Sequence, residues 1–295
     1  MKKKARLILG GGAAYGLAHI GAMAALESEY EFTGIVGTSM GAIVGALYSI
    51  GYDPAQMLEL ARDFRTAELF NPLNLDFTRS GIFDGNMTLK RFLKWTDERK
   101  IEEGRIPFVA VAYDLMQKRS VLIDKGRFAD AMRASSSLPY IYRPFPYSGY
   151  LFLDGGVEHP LPLAFANEVP GDITIAVNVL PHASIEAERI RLGQSKSCPR
   201  FSIAQVGVQS LLQNQAFIAI QEMLDYKPDI YIDAHHPQLS MTDLNKAGDF
   251  YLYGLRAAVK AMQDHVDSSF IEQLRQRYQK MLSRVMGPLE RFKLG

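Results

Sequence analysis

The chain predicts an α/β fold, with a largely parallel central sheet, helices on both faces and further helices at the C-terminal end. Three observations carry this. Strand-like and helix-like patterns alternate through the first fifty residues. Two glycine-rich turns, Gly10-Gly11-Gly12 and Gly37-Thr38-Ser39-Met40-Gly41, each fall between a short apolar run and a helical pattern. Later apolar runs such as Asp172–Val179 are short and continuous rather than alternating, as in strands covered on both faces.

Taken in order, Arg6–Leu9 reads as a strand, Ala14–Glu27 as a helix, Gly34–Val36 as a strand and Met40–Ile50 as a helix. Asp53-Pro54 opens another short helix, because proline suits a first helical turn. Arg65 to Gly85, with Asn71-Pro72 and Ser80-Gly81, is irregular, and Met87–Thr96 returns to helical spacing. Ile106–Tyr113 and Ser120–Ile123 are strands separated by a turn, and Ala129–Ser137 is helical until Leu138-Pro139. Tyr140–Tyr150 is dense in aromatics and proline. Leu151–Leu153 is a short apolar strand ending at Asp154-Gly155-Gly156, Pro160–Ala166 is a helix begun by proline, and Asp172–Val179 is a buried strand. Pro181–Arg200 is polar and is the best linker candidate. Phe201–Leu224 is a long helix, Asp229–Ile232 a last strand, and Gly248–Met262 and Ser268–Met286 terminal helices with i to i+4 charge pairs.

Composition narrows the function. With 47% hydrophobic and 22% charged residues the chain has the profile of a water-soluble globule rather than of a disordered or fibrous one. Thirty-three Lys+Arg against thirty-two Asp+Glu leave no global field to attract nucleic acid. A lone cysteine, Cys198, rules out an internal disulfide and fits a reducing, cytoplasmic setting. Met1-Lys2-Lys3-Lys4-Ala5-Arg6 before the small, apolar stretch Leu7 to Leu26 looks like the start of an export signal, but Gly10, Gly11, Gly12, Gly16, Gly21 and His19 make that stretch a poor continuous apolar helix. No run of about eighteen apolar residues follows, so no span of a membrane is expected.

Gly37-Thr38-Ser39-Met40-Gly41 is G-x-S-x-G between a strand and a helix, the context that a nucleophilic serine requires. The sharp turn holds Ser39 exposed at a helix N-terminus, where developing negative charge is favoured. The competing reading makes Ser39 an ordinary helix N-cap. Gly10-Gly11-Gly12-Ala13-Ala14-Tyr15-Gly16 also links a strand to a helix, so its backbone N–H groups converge as an oxyanion hole would. A dinucleotide site with Glu29 or Glu31 on a ribose is the alternative, although G-x-G-x-x-G is not met and no Walker-type loop exists.

A serine nucleophile needs a base. After Asp154, a Ser–acid–His order leaves His235, His236 or His265, but the hydrolase fold with that order has several strands before its elbow and Ser39 follows only two. His19 sits among small residues as a packing or hydrogen-bonding group, and His235-His236, before Pro237, is a solvated turn or, alternatively, a two-histidine metal site. Asp154 is the better partner. It ends an apolar strand, its two glycines allow close approach, and in an α/β sheet it reaches Ser39 if both strands end at the same edge. A free carboxyl near ~3.9 is a poor base, so the pair works only if burial raises its proton affinity.

These parts together resemble the bacterial members of the patatin-like phospholipase family: a glycine-rich loop at the first strand-helix junction, a G-x-S-x-G elbow and a later Asp-Gly-Gly. Gly16-Leu17-Ala18-His19-Ile20-Gly21, Gly37-Thr38-Ser39-Met40-Gly41-Ala42 and Arg133-Ala134-Ser135-Ser136-Ser137-Leu138-Pro139 carry the resemblance. It implies a three-layer patatin-like fold, with residues 5–180 as the catalytic domain and 181–295 as a linker and strand-and-helix extension packed on it. It further implies a Ser39–Asp154 dyad without histidine, an oxyanion hole at Gly11, Gly12 and Ala13, and motif glycines at Gly16, Gly37, Gly41, Gly155 and Gly156. The implied activity is hydrolysis of lipid acyl esters, of the phospholipase A or lysophospholipase type, with no metal or other cofactor.

Two departures from the family pattern bear on activity. The family loop reads G-G-G-x-[RK]-G, and here Ala13 and Tyr15 replace the third glycine and the cation. His159 stands where the family commonly has Asn and is placed to touch the surroundings of the dyad. A catalytically weak binding or regulatory protein on the same fold is therefore a second reading. Tyr140, Ile141, Tyr142, Arg143, Phe145, Tyr147, Tyr150 and Phe152 suit either a lipid headgroup interface, with peripheral membrane contact, or the core.

Overall fold

The computed structural model describes residues 2–63, 80–181 and 200–264. Cys198, His182, His265, the helix expected at Ser268–Met286 and nearly all of the Pro181–Arg200 linker lie outside the described residues, as does most of Arg65 to Gly85. The strands are β1 (Lys3–Leu9), β2 (Tyr30–Thr38), β3 (Phe108–Asp114), β4 (Arg119–Ile123), β5 (Phe145–Tyr147), β6 (Tyr150–Asp154), β7 (Ile173–Asn178) and β8 (Ile230–Asp233). The helices are α1 (Ala18–Leu26), α2 (Met40–Ile50), α3 (Pro54–Asp63), α4 (Asn86–Thr96), α5 (Phe128–Ser135), α6 (Ile203–Tyr226) and α7 (Ala247–Asp264).

All eight strands belong to one mixed, mostly parallel sheet. β3, β2, β1, β7 and β8 run parallel in that order, while β4 and β6 join β3 antiparallel and β5 pairs with β6. Alternate residues of each central strand enter different cores, as the two-residue period demands. Leu7, Leu9, Ile35, Phe108, Ile175 and Val177 pack with residues of α1 to α5 and α7, whereas Ile8, Val36, Val109, Val111 and Ala176 pack with α6. The result is three layers, with the long helix α6 alone among the α-helices on its face.

Two expected elements differ. Pro160–Ala166 is not an α-helix; only a 3-10 segment, Leu163–Glu168, forms, because the backbone leaves helical geometry at Pro162 (ψ 53) and again at Phe165 (φ −105, ψ 15). The helix expected from Ala14 begins as a 3-10 turn, Ala13–Leu17, and becomes α-helical at Ala18. The aromatic stretch contains a short strand, β5, that alternation alone did not reveal.

The glycines of the amino-terminal segment have a packing role. A Cβ at Gly21 would lie 1.8 Å from Tyr251 O, and one at Gly254 would lie 1.9 Å from Ala18 O, so α1 and α7 pack backbone against backbone.

One feature of the sheet positions the site. β4 pairs with β3 from Ala110 to Asp114 and occupies one edge there, so β2, opposite Ile35↔Phe108 to Thr38↔Val111, and β6, opposite Ala112↔Asp154 to Asp114↔Phe152, must share the other edge. β2 ends at Thr38 and β6, running the opposite way, ends at Asp154. Ser39 and Asp154 thus meet end to end along one edge of β3.

Candidate active site

The elbow is built by close contact. A Cβ at Gly37 would lie 2.6 Å from Gly41 C and O, and one at Gly41 would lie 2.2 Å from Leu9 O, so the turn tolerates side chains at neither position. Ser39 adopts φ 54 and ψ −122, a strained conformation for a residue with Cβ. It stands at the N-cap of α2, yet its side chain makes no cap hydrogen bond, which removes the N-cap reading. Its N–H donates to Ser135 Oγ at 2.8 Å, and Ser135 Oγ donates in turn to Val111 O at 2.6 Å. Ser135 therefore ties the elbow to β3. In the sequence it is one of three consecutive serines, and nothing in that run says which one turns inward.

Asp154 is buried, and Oδ1 accepts from Gly156 N at 2.8 Å. Burial pushes its carboxyl up from 3.8 to about 6, with the Ser39 side chain and the Gly156 N–H pulling the other way. The two side chains face each other without closing a hydrogen bond, for Oδ2 is buried and has no partner at bonding distance. Loose contacts of this kind are common in the absence of substrate. Gly155 lets β6 end against β3, since a Cβ there would meet Val111 O at 2.2 Å. At Gly156 a Cβ would lie 3.0 Å from Asp154 Oδ1 and 2.7 Å from Gln215 Nε2, a buried amide that itself lacks a partner.

The glycine-rich loop divides its amides. Gly11 N–H donates to Pro160 O at 2.8 Å and Gly10 N–H to Val177 O at 3.1 Å. Gly12 and Ala13 N–H donate to no partner among the described residues, which leaves two donors beside Ser39. A Cβ at Gly11 would be 3.3 Å from Ser39 Cβ. Ala13 is accommodated at φ 48, a left-handed angle that costs an L-residue energy. Gly16 admits Met40, whose Cγ would lie 2.5 Å from an added Cβ. Tyr15, in place of a cation, packs edge-on against His235 at 5.0 Å and Phe250 at 6.1 Å.

The histidines find other work. His19 is buried, hydrogen-bonds Gly10 O through Nε2 at 2.7 Å and is driven by burial to a pKa of about 4, so it is neutral and pins the loop. His159 pairs through Nδ1 with Glu222 Oε1 at 2.7 Å, and its own carbonyl accepts from Thr38 Oγ1 at 2.8 Å. His235 and His236 pack on aromatic rings, and among the described residues no group of three or more potential ligands forms a metal site.

A cavity of about 180 Å³ opens at Ser39, lined by Ala13, Met40, Leu60, Phe92, Trp95 and Tyr142 among other mostly apolar residues. Its wall is braced by Arg133, which is buried, donates to Ser137 Oγ at 2.7 Å and to Gly85 O at 3.3 Å, and stacks over Tyr142 at 4.7 Å. Burial lowers its pKa to about 10. The aromatic stretch is therefore split and forms no single interfacial band. Ile141 and Tyr142 line the cavity, Phe152 is core, and only Tyr140 and Tyr147 of its large apolar side chains are exposed, at 48% and 38%. Among the described residues no helix is long and apolar enough to cross a membrane.

The profile of the family described as patatin-like phospholipase matches residues 7–167, more than half of the chain. An uncharacterized NTE family protein of Mycobacterium tuberculosis is 36% identical over 174 residues, 59% of this chain and 48% of that protein. Lysophospholipase NTE1 of Pyricularia oryzae is 32% identical over 181 residues, 60% of this chain but 12% of its own length. The chain thus spans about half or less of these relatives. The crystal structure of VipD from Legionella pneumophila aligns with a TM-score of 0.44 at 12% identity, covering 90% of this chain and 67% of that one.

Proposed function

The chain belongs to the patatin-like phospholipase family, and from that premise we propose that it is a serine hydrolase of lipid acyl esters, of the phospholipase A or lysophospholipase type. The observation that carries the proposal is a strained, uncapped Ser39 facing a buried carboxylate with one oxygen free, at the mouth of an apolar cavity. Asp154 accepts the Ser39 proton as Oγ attacks the ester carbonyl. The Gly12 and Ala13 amides stabilise the oxyanion, a contribution of ~100-fold or more in rate for a single donor. Gly11 shapes the loop, its own N–H being committed to Pro160. The alcohol leaves with the proton, and water, activated by Asp154 in the same way, releases the acyl group from Ser39. The cavity takes the acyl chain, since its lining offers little to a polar group. A raised carboxyl supports the role of Asp154, because a base near the working pH transfers protons more effectively than one near 4.

The test is hydrolysis of a short-chain p-nitrophenyl ester and covalent labelling by a fluorophosphonate, wild type against Ser39→Ala. Loss of both in the variant supports a serine esterase. Absence of labelling in the wild type sinks the proposal in favour of a non-catalytic protein on this fold. Phospholipid and lysophospholipid panels then separate the two lipase types.

A further inference from the structure

We propose that Glu222 is a positioning residue for this reaction, acting through His159 and Leu161 to hold the loop at residues 159–161 against both the oxyanion loop and the nucleophile elbow. The inference rests on the reading of Ser39 and Asp154 given above. Glu222 lies on the inner face of α6, outside the residues 7–167 that the family profile matches. Both of its oxygens are spent on one short loop: Oε1 on His159 Nδ1 at 2.7 Å and Oε2 on Leu161 N–H at 3.0 Å.

That loop touches each of the three segments that make the site. Pro160 O accepts the Gly11 N–H at 2.8 Å, which fixes the chain immediately before the Gly12 and Ala13 donors. His159 O accepts Thr38 Oγ1 at 2.8 Å, one residue before the nucleophile. His159 N–H donates to Gly155 O at 2.9 Å, one residue after the base. Segments far apart in sequence are thus referenced to one another through two consecutive residues, His159 and Pro160, and Glu222 stands behind them. Burial raises the Glu222 carboxyl, with His159 and the Leu161 N–H as the offsetting contacts. A carboxylate held at that cost, with both oxygens directed at the same loop, fits a rigid strut better than general packing. His159 and Glu222 are not a catalytic pair here: the ring's hydrogen bond goes to Glu222, not to Ser39 or Asp154, and the ring lies edge-on to Phe165 at 4.7 Å.

The full chain carrying Glu222→Ala, Glu222→Gln or His159→Ala is compared with wild type. The readouts are kcat and KM on a p-nitrophenyl ester, the rate of fluorophosphonate labelling, and hydrogen exchange of the Gly11 amide. Glu222→Ala is expected to lower kcat and the labelling rate by about 10- to 100-fold, since a displacement of an ångström suffices for that, with KM within about twofold of wild type. Gly11 exchange rises with it. Glu222→Gln recovers most of the rate, because its amide oxygen still accepts one of the two bonds. His159→Ala, which removes a partly buried ring but leaves the Glu222 bond to Leu161 in place, gives a smaller kcat loss and a smaller rise in Gly11 exchange, so the test survives if Glu222→Ala does not fold. Wild-type kcat and Gly11 exchange in His159→Ala and in a folded Glu222→Ala overturn the proposal. A loss in either variant as complete as that of Ser39→Ala also overturns it, by making the pair catalytic. Full activity in Ser39→Ala fails the underlying reading instead, whatever the Glu222 variants do.

Discussion

Replacing Asp154 with Asn exchanges activity for stability. The carboxyl is buried and its pKa stands at about 6 against an ordinary 3.8, so holding it ionised in the folded protein costs ~3 kcal/mol. The sign follows from proton affinity. The folded state binds the proton more tightly than the unfolded chain, so the contribution of Asp154 to stability is fullest below pH 4 and is lost as pH rises through about 6. Asn carries no charge and bears no such penalty. Its oxygen still accepts from Gly156 N–H, while its NH2 takes the place of the partnerless Oδ2, at a cost of ~1 kcal/mol. Asp154→Asn is therefore expected to be more stable than wild type by ~2 kcal/mol at pH 8, or roughly 4 °C in Tm, and slightly less stable at pH 4. Urea unfolding and scanning calorimetry of both proteins at pH 8, 6 and 4 measure this, with esterase activity alongside to show that turnover is gone. A variant no more stable than wild type at pH 8, or a difference that stays constant between pH 8 and pH 4, refutes the argument that a desolvated carboxylate is held beside Ser39.

The same carboxyl sets the acid limb of turnover: kcat/KM falls tenfold per pH unit below about 6, and a wild-type profile flat down to pH 4.5 removes Asp154 as the base. Ser135→Ala removes the partner of the part-buried Ser39 N–H and of the buried Val111 O together, so urea unfolding should show a loss of ~2 kcal/mol, with kcat reduced more than KM is changed. At Ala13 the left-handed φ of 48 costs ~1 kcal/mol and glycine removes that strain while loosening the unfolded chain by ~0.4–1 kcal/mol. Ala13→Gly should thus leave Tm nearly unchanged and preserve kcat; a large loss of kcat means that the backbone of Ala13 does not act in the way described. Ala61→Leu fills part of the cavity and should lower kcat/KM for long-chain p-nitrophenyl esters while sparing acetate and butyrate, and equal effects on both would place the acyl chain elsewhere.

The chemistry-bearing turns were legible because each is written in contiguous residues. Gly37-Thr38-Ser39-Met40-Gly41 encodes its elbow through two missing side chains, and Asp154-Gly155-Gly156 encodes a strand end with room behind it. Apolar runs separated by turn residues located seven of the eight strands to within a few residues, and Met40–Ile50 at its observed bounds. The short β5 escaped because Pro146 and exposed neighbours mask a three-residue strand, and Pro160–Ala166 misled because its backbone turns out of helical geometry at Pro162, beside a Leu161 held by Glu222 from a distant helix.

What the sequence by itself determined is the local stereochemistry of each part of the candidate site, since φ/ψ preference and close approach act over a few residues. What only the tertiary structure decided is how the parts meet. β2 and β6 share an edge of β3 because β4 has taken the other, and this brings Ser39 to Asp154. The Gly11 N–H is spent on Pro160, the cavity closes between α2, α3 and α4, and Glu222 reaches the 159–161 loop from the opposite face of the sheet. These are hydrogen-bond and packing choices among groups distant in the chain. A linear sequence does not rank them, because each depends on which competing partner the folded sheet leaves within reach.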